Sequence, residues 1–142
     1  MRIGRRTRLS VSARGAKARL GIAYLPAALW WCVVLLLNAR DDAPVPAAWD
    51  ETAFPIDKVG HLGAYGVLGF LAGWGWLRAT RQPPAAAVVC GLMLLGALDE
   101  LQQLRLAHRS ASVADWLFDA AGILIGFTLA RATAGGLLRT RE

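Results

Sequence analysis

The chain has 142 residues, 56% of them hydrophobic, and a formal net charge of +6. The chain is too short for two domains and too apolar for an ordinary soluble protein, so a single membrane domain is expected. The basic residues are concentrated in segments where they would set the membrane topology and bind anionic lipids of the inner leaflet. No nucleic-acid recognition motif accompanies them, so nucleic acid is not an expected partner.

Four windows of the chain are apolar and long enough to cross a membrane, which takes about 20 mostly apolar residues. They cover 20–38, 59–77, 84–104 and 113–134. The sequence therefore predicts an all-α polytopic membrane protein with a bundle of four transmembrane helices. This membrane domain occupies 20–134, between a basic N-terminal segment at 1–19 and a short tail at 135–142.

Charged residues divide unevenly between the two sides of the predicted bundle. One side carries 12 basic residues and 1 acidic residue, and the other carries 4 basic and 9 acidic residues. Because basic segments are retained in the cytoplasm, we expect both termini to be cytoplasmic. Segments 39–56 and 105–112 are then expected to face outward.

The first and third windows each contain one cysteine, Cys32 and Cys90. No disulfide or metal spacing involves them, so we expect two buried, small apolar side chains. Windows two and four contain glycine pairs four residues apart, a spacing that predicts close approach of helices. These pairs are Gly69 with Gly73, and Gly122 with Gly126.

The second helix begins with polar residues four apart, so Asp57, His61 and Tyr65 share one face. At a helical rise of about 1.5 Å per residue, His61 lies roughly 6 Å and Tyr65 roughly 12 Å below Asp57. Ionisable side chains at this depth are costly against lipid. We therefore expect them to face the bundle interior or a wet cavity.

Polar residues also end the third helix and begin the fourth. Asp115 and Asp119 are four apart and share a face. Asp57 and Asp115 lie where a carboxylate can simply cap a helix, and the segment 112–115 resembles a capping box. The third helix ends with Asp99, Glu100, Gln102 and Gln103. Three helix ends are thus expected to meet in one outward-facing polar pocket.

This pocket is predicted to hold excess negative charge, because five acidic residues oppose only Lys58 and Arg109. Either some carboxyl groups are protonated or a cation binds there. His61 and the carboxylates are donor types that divalent metals use, but the sequence contains no recognised metal motif. We therefore assign no metal ligand, and any cofactor is unknown.

At these residues the sequence resembles the VanZ-like family of small bacterial membrane proteins, named for a glycopeptide (teicoplanin) resistance determinant. The family pattern Asp-Lys-x-x-His-x-x-x-Tyr is matched by Asp57, Lys58, His61 and Tyr65. Its second pattern, Asp-Glu-x-x-Gln followed by Arg, Asp, Asn and Gly, is matched by Asp99, Glu100, Gln103, Arg109, Asp115 and Gly122.

The chain departs from that second pattern at two places. Ala107 and His108 stand where the family usually has Pro-Gly, and Asp119 stands where it usually has Asn. The second departure adds a negative charge. The resemblance implies a multi-pass protein of the bacterial inner (cytoplasmic) membrane with a role in the cell envelope, in a family linked to antibiotic resistance.

The first functional hypothesis is action at the outer leaflet on a lipid-linked or cell-envelope substrate. In its enzymatic form, His61 is the general acid or base and is oriented by Asp57 or Asp119. Lys58 and Arg109 bind an anionic headgroup. The expected catalytic residues are His61, Asp57, Asp99 and Asp119, and the expected binding residues are Lys58, Tyr65, Glu100, Gln103, Arg109 and Asp115.

The alternative hypothesis is a non-catalytic binding or accessory protein. Its polar pocket would hold a lipid headgroup, a glycopeptide-type drug or a partner. No nucleophile stands out in the sequence, which is consistent with a non-catalytic role. A transporter fits less well, because the chain shows no repeats and the site lies above the membrane midplane. Membrane lipids are expected partners under every hypothesis.

Overall fold

The computed structural model describes the backbone of four stretches, namely 4–38, 56–79, 82–104 and 112–139. Each stretch contains one helix, and the four are α1 (Gly4–Asn38), α2 (Ile56–Arg78), α3 (Ala85–Gln103) and α4 (Val113–Arg139). Every predicted window falls on one of these helices, so the all-α architecture is confirmed. Arg109 lies outside the described residues.

Three of the helices contain a stretch that is long and apolar enough to cross a membrane. These stretches are Gly21–Asn38, Ala85–Gln103 and Val113–Ala134. α2 has a sufficient length of 23 residues, but its six glycines and its charged start at Asp57 and Lys58 make it less apolar. The chain is a multi-pass membrane protein, and α2 as its fourth span stays a prediction.

The bundle exposes large apolar side chains and buries several charged ones beside an apolar core. Leu36 and Leu94 are 68% and 66% exposed, whereas the carboxylates of Asp99 and Asp119 are buried. This distribution is unfavourable in water, but a hydrocarbon solvent favours it. The prediction that Cys32 and Cys90 are buried is wrong, because both are exposed. A small apolar side chain gains nothing from protein burial when lipid is the solvent.

α2 and α4 form the centre of the bundle, with α1 packed on α2 and α3 packed on α4. The backbones of the two central helices touch. A Cβ atom added to Gly122 or Gly126 would collide with the backbone of Gly66, and one added to Gly69 would collide with the backbone of Ile123. The predicted close approach at the glycine pairs is therefore confirmed.

Tryptophan side chains join the outer helices to this central pair. Trp30 of α1 donates from Nε1 to the carbonyl oxygen of Ala64 at 2.8 Å, and Trp116 of α4 donates to that of Met93 at 3.0 Å. Successive helices run in opposite directions. α1 and α3 therefore end where α2 and α4 begin, and this end of the bundle, which holds the predicted site residues, is called the site end.

Candidate functional site

His61 and Asp119 form the centre of the site. His61 lies near the start of α2 and Asp119 near the start of α4, and Nδ1 of the imidazole lies 2.9 Å from Oδ1 of the carboxylate. Asp119 is completely buried, and the His61 side chain is 14% exposed. The glycine contact at Gly122 lies one turn beyond Asp119, so the close approach of α2 and α4 brings the pair together.

Glu100 of α3 is the third member of this centre. Its Oε1 lies 4.0 Å from Nδ1 of His61, and its Oε2 accepts the backbone N–H of Ser112 at 2.9 Å. Ser112 also caps α4, because its Oγ accepts the N–H of Asp115 at 3.3 Å. One half of the predicted capping box is thus present, while the N–H of Ser112 binds Glu100 instead of Asp115.

Asp99 precedes Glu100 in sequence but binds a different set of groups. The hydroxyl of Tyr65 donates to its Oδ2 at 3.0 Å, and Nδ2 of Asn38 donates to the same oxygen. The sequence analysis did not single out Asn38. A polar residue at the last position of a long apolar helix is the signal that would have identified it.

Gly96 shows that these two groups of residues adjoin. A Cβ atom added to Gly96 would lie 3.4 Å from Oδ2 of Asp119 and 3.4 Å from Cε1 of Tyr65. The His61 centre and the Asp99 hydrogen bonds therefore belong to one polar cluster. We define this polar cluster as His61, Tyr65, Asp99, Glu100 and Asp119.

Lys58 lies at the rim of the polar cluster. Its Nζ lies 3.0 Å from Oδ1 of Asp115 and 3.2 Å from Oδ2 of Asp57. The Asp57 side chain is 63% exposed. Among the described residues, the carboxylate hydrogen-bonded to His61 is that of Asp119, so the geometry decides between the two orienting residues that spacing left open.

The charges at the rim are mutually stabilised. Lys58 lies outside the apolar window of α2, which begins at residue 59. Its hydrogen bonds with Asp115 and Asp57 raise the pKa of its ammonium group. Partial burial alone would raise the pKa of Asp57, but hydrogen bonds with Lys58 outweigh it and lower that pKa. Lys58 and Asp57 therefore stay charged at neutral pH.

Three buried polar atoms at the site end have no hydrogen-bond partner within the described parts of the chain. They are Oε1 of Glu100, Oδ2 of Asp119 and Nε2 of Gln103. Leaving buried polar groups unsatisfied is costly, above all for ionised carboxylates. The two carboxylate oxygens mark a place where a proton or a cation would be stabilising, and the amide N–H groups of Gln103 are placed to donate to a ligand.

His61, Glu100 and Asp119 also have metal-ligand geometry. Each offers one ligand atom, and the three atoms all lie within 4.8 Å of one another. Imidazole nitrogen together with carboxylate oxygen is a donor set that divalent transition metals accept. The sequence analysis grouped Glu100 with the binding residues, whereas the fold places it beside the central pair.

Comparison of the sequence with protein-family models gives a match over the region that contains the two polar motifs. A model of the VanZ/LLP1 family matches residues 17–137. No curated protein and no solved structure gives a significant match. The family match covers most of the chain, including both polar motifs and the contact between α2 and α4. The chain therefore belongs to the VanZ/LLP1 family.

Proposed function

We propose that this protein is an inner-membrane enzyme that acts at the outer leaflet on a lipid-linked or cell-envelope substrate, with His61 as its general acid or base. The observation that carries the proposal is the 2.9 Å contact between Nδ1 of His61 and Oδ1 of the buried Asp119. A carboxylate on one ring nitrogen fixes the tautomer and orientation of the imidazole. The other nitrogen is left to exchange a proton with the substrate.

The location of the polar cluster supports a lipid-linked substrate. The cluster lies within the first few turns from the site end, the depth at which a headgroup can enter while its acyl or prenyl chain stays in the hydrocarbon. The uneven distribution of 12 and 4 basic residues supports an outward orientation of this end. Together these features favour action at the outer leaflet.

Substrate binding is assigned to the rim and to the flanks of the cluster. The ammonium group of Lys58 has three N–H donors, of which Asp115 and Asp57 occupy two. With respect to the described residues, the third is available to an anionic headgroup, and we propose Arg109, on sequence grounds, as a second cation. Asp99 and Gln103 provide buried hydrogen-bonding groups at the same end.

A non-catalytic binding or accessory protein is the second candidate function, and one observation favours it. Within the described residues, the hydroxyl groups near His61 are engaged elsewhere, because that of Ser112 caps α4 and that of Tyr65 binds Asp99. No activated nucleophile accompanies the histidine there. In this function the same cluster holds a lipid headgroup, a glycopeptide-type drug or a partner.

Lipid analysis of the purified protein distinguishes the two functions. Wild type and His61→Gln are extracted with their native lipids, and the retained lipids are compared by mass spectrometry with those of the bulk membrane. An enzyme should retain substrate only when His61 is replaced, so the two samples should differ in one lipid class. Lys58→Met in the His61→Gln background should reduce retention of that class.

A binding protein should retain the same lipid class in wild type and in His61→Gln. Retained lipids that match the bulk membrane in all samples would contradict a lipid-linked ligand altogether. His61→Gln keeps a hydrogen-bonding side chain of similar size, so a loss of the fold is not the expected cause of any difference. Membrane abundance and elution as a single species in detergent provide the control.

A further inference from the structure

We propose that His61, Glu100 and Asp119 bind a divalent transition-metal ion of the Zn²⁺ or Mn²⁺ type. The inference concerns the same cluster as the proposed function, but it stands on the geometry alone and does not require catalysis. The ligands come from three helices, α2, α3 and α4, so the ion would join the central pair to α3 at the site end.

The ligand distances fit an ion with modest closure of the cluster. Nδ1 of His61 lies 2.9 Å from Oδ1 of Asp119 and 4.0 Å from Oε1 of Glu100, and all three ligand atoms lie within 4.8 Å of one another. In a tetrahedral site, metal–ligand bonds of about 2.0 to 2.2 Å place the ligand atoms roughly 3.3 to 3.6 Å apart. The widest separation therefore has to shrink by about 1 Å, which side-chain rotation can provide.

Each of the two carboxylates has one oxygen that can accept the ion, although at Asp119 this is not Oδ1, which is hydrogen-bonded to His61. Within the described residues, Oε1 of Glu100 and Oδ2 of Asp119 have no hydrogen-bond partner, although the two residues are only 6% and 0% exposed. The other oxygen of Glu100 accepts the N–H of Ser112. Such an outer hydrogen bond orients a ligating carboxylate and increases metal affinity.

The negative charge of the polar cluster also favours binding of a cation. Asp99, Glu100 and Asp119 are all buried in the bundle, where an uncompensated carboxylate is strongly disfavoured. Lys58, the cation at the rim, already pairs with Asp57 and Asp115. A divalent ion would compensate two of the buried charges directly.

Three protein ligands leave further coordination positions open. Ions held in this way commonly accept a water molecule or an oxygen atom of a substrate. Ligation through Nδ1 would replace the hydrogen bond between His61 and Asp119, so the metal-bound state is an alternative to the hydrogen-bonded pair. A phosphate or carboxylate oxygen of an envelope substrate could then bind a site that would otherwise repel anions.

The test measures metal directly in the full-length protein. Chelator-treated protein in detergent is loaded with Zn²⁺ or Mn²⁺ and desalted, and the retained metal is determined by mass spectrometry. Wild type should retain about one ion per chain, and Glu100→Gln should reduce the affinity by at least tenfold, since loss of even an outer-shell group costs roughly 10- to 100-fold. Asp57→Asn is the matched control, because it removes one carboxylate charge from the exposed rim and should leave metal retention unchanged.

Loading with Co²⁺ provides a second readout that needs no variant. Wild type should show visible absorption bands of a cobalt ion with nitrogen and oxygen ligands, and His61→Gln should alter them. Failure of wild type to retain any ion would overturn the inference, as would equal losses in Glu100→Gln and Asp57→Asn. These readouts do not use activity, so failure to bind metal leaves the proposed proton-transfer role of His61 standing. Retention of an ion through Nδ1 would instead replace the hydrogen bond to Asp119 on which that role rests, so the metal and activity measurements distinguish the two proposals.

Discussion

Oδ1 of Asp119 lies 2.9 Å from Nδ1 of His61, although the two residues are 58 positions apart in the chain. The contact depends on how closely α2 approaches α4. Gly122 lets the backbone of α4 touch that of α2 at Leu62 and Gly66, so a larger side chain at Gly122 would separate His61 from its carboxylate. Packing and site geometry are therefore coupled through the same helix contact.

Gly126→Ala should destabilise the bundle, because the added Cβ atom would collide with the carbonyl oxygen of Gly66. Overpacking of this kind typically costs about 1 to 3 kcal/mol of unfolding free energy. Thermal unfolding in detergent should show a lower midpoint than that of wild type.

Gly91→Ala is the matched control for this effect. No atom lies within 4 Å of a Cβ added there, and alanine favours a helix more than glycine does. The midpoint should be unchanged or higher. Equal stability of Gly126→Ala and wild type would mean that α2 and α4 do not meet at their glycines.

The sequence was sufficient to predict the helices and the inward position of His61, Tyr65 and Asp119, because apolar length and four-residue spacing are local properties. Asp57, which was expected on the same face as His61, is instead 63% exposed. Partner choice is not local. The sequence left Asp57 and Asp119 both open as the residue that orients His61, and only the crossing of α2 and α4 selects Asp119. Asn38 and the central position of Glu100 depend in the same way on contacts between helices that no single-helix pattern contains.

Tyr65→Phe should destabilise the protein, because it removes one of the two donors to the buried Asp99. Loss of a hydrogen bond to a buried charged group typically costs about 1 to 3 kcal/mol. Thermal unfolding measures the effect, and in an Asp99→Asn background the cost of Tyr65→Phe should be smaller.

Tyr24→Phe serves as the control for removal of a hydroxyl. The Tyr24 hydroxyl is buried and has no hydrogen-bond partner within the described residues, so its loss should leave stability unchanged or increased. If Tyr24→Phe and Tyr65→Phe destabilise equally, the bond to Asp99 contributes nothing of its own.

Both termini should be cytoplasmic, as the distribution of basic residues predicts. Single cysteines at Ala48 and Ala107, in a chain whose Cys32 and Cys90 are replaced by serine, should react with a membrane-impermeant thiol reagent added to intact cells. A cysteine at Thr140 should react only after the membrane is broken. The reverse pattern would place the site end in the cytoplasm and exclude action at the outer leaflet.

The central claim is that His61 exchanges a proton with the substrate. The most direct test replaces the imidazole with a side chain of similar size that cannot exchange a proton. His61→Gln is expressed in cells that lack their own copy of the protein, and its complementation or drug-susceptibility phenotype is measured beside its abundance in the membrane. Loss of general acid–base catalysis lowers rates by roughly 100- to 10,000-fold, so the variant should be as abundant as wild type but inactive. An abundant variant with the full wild-type phenotype would contradict the catalytic role of His61.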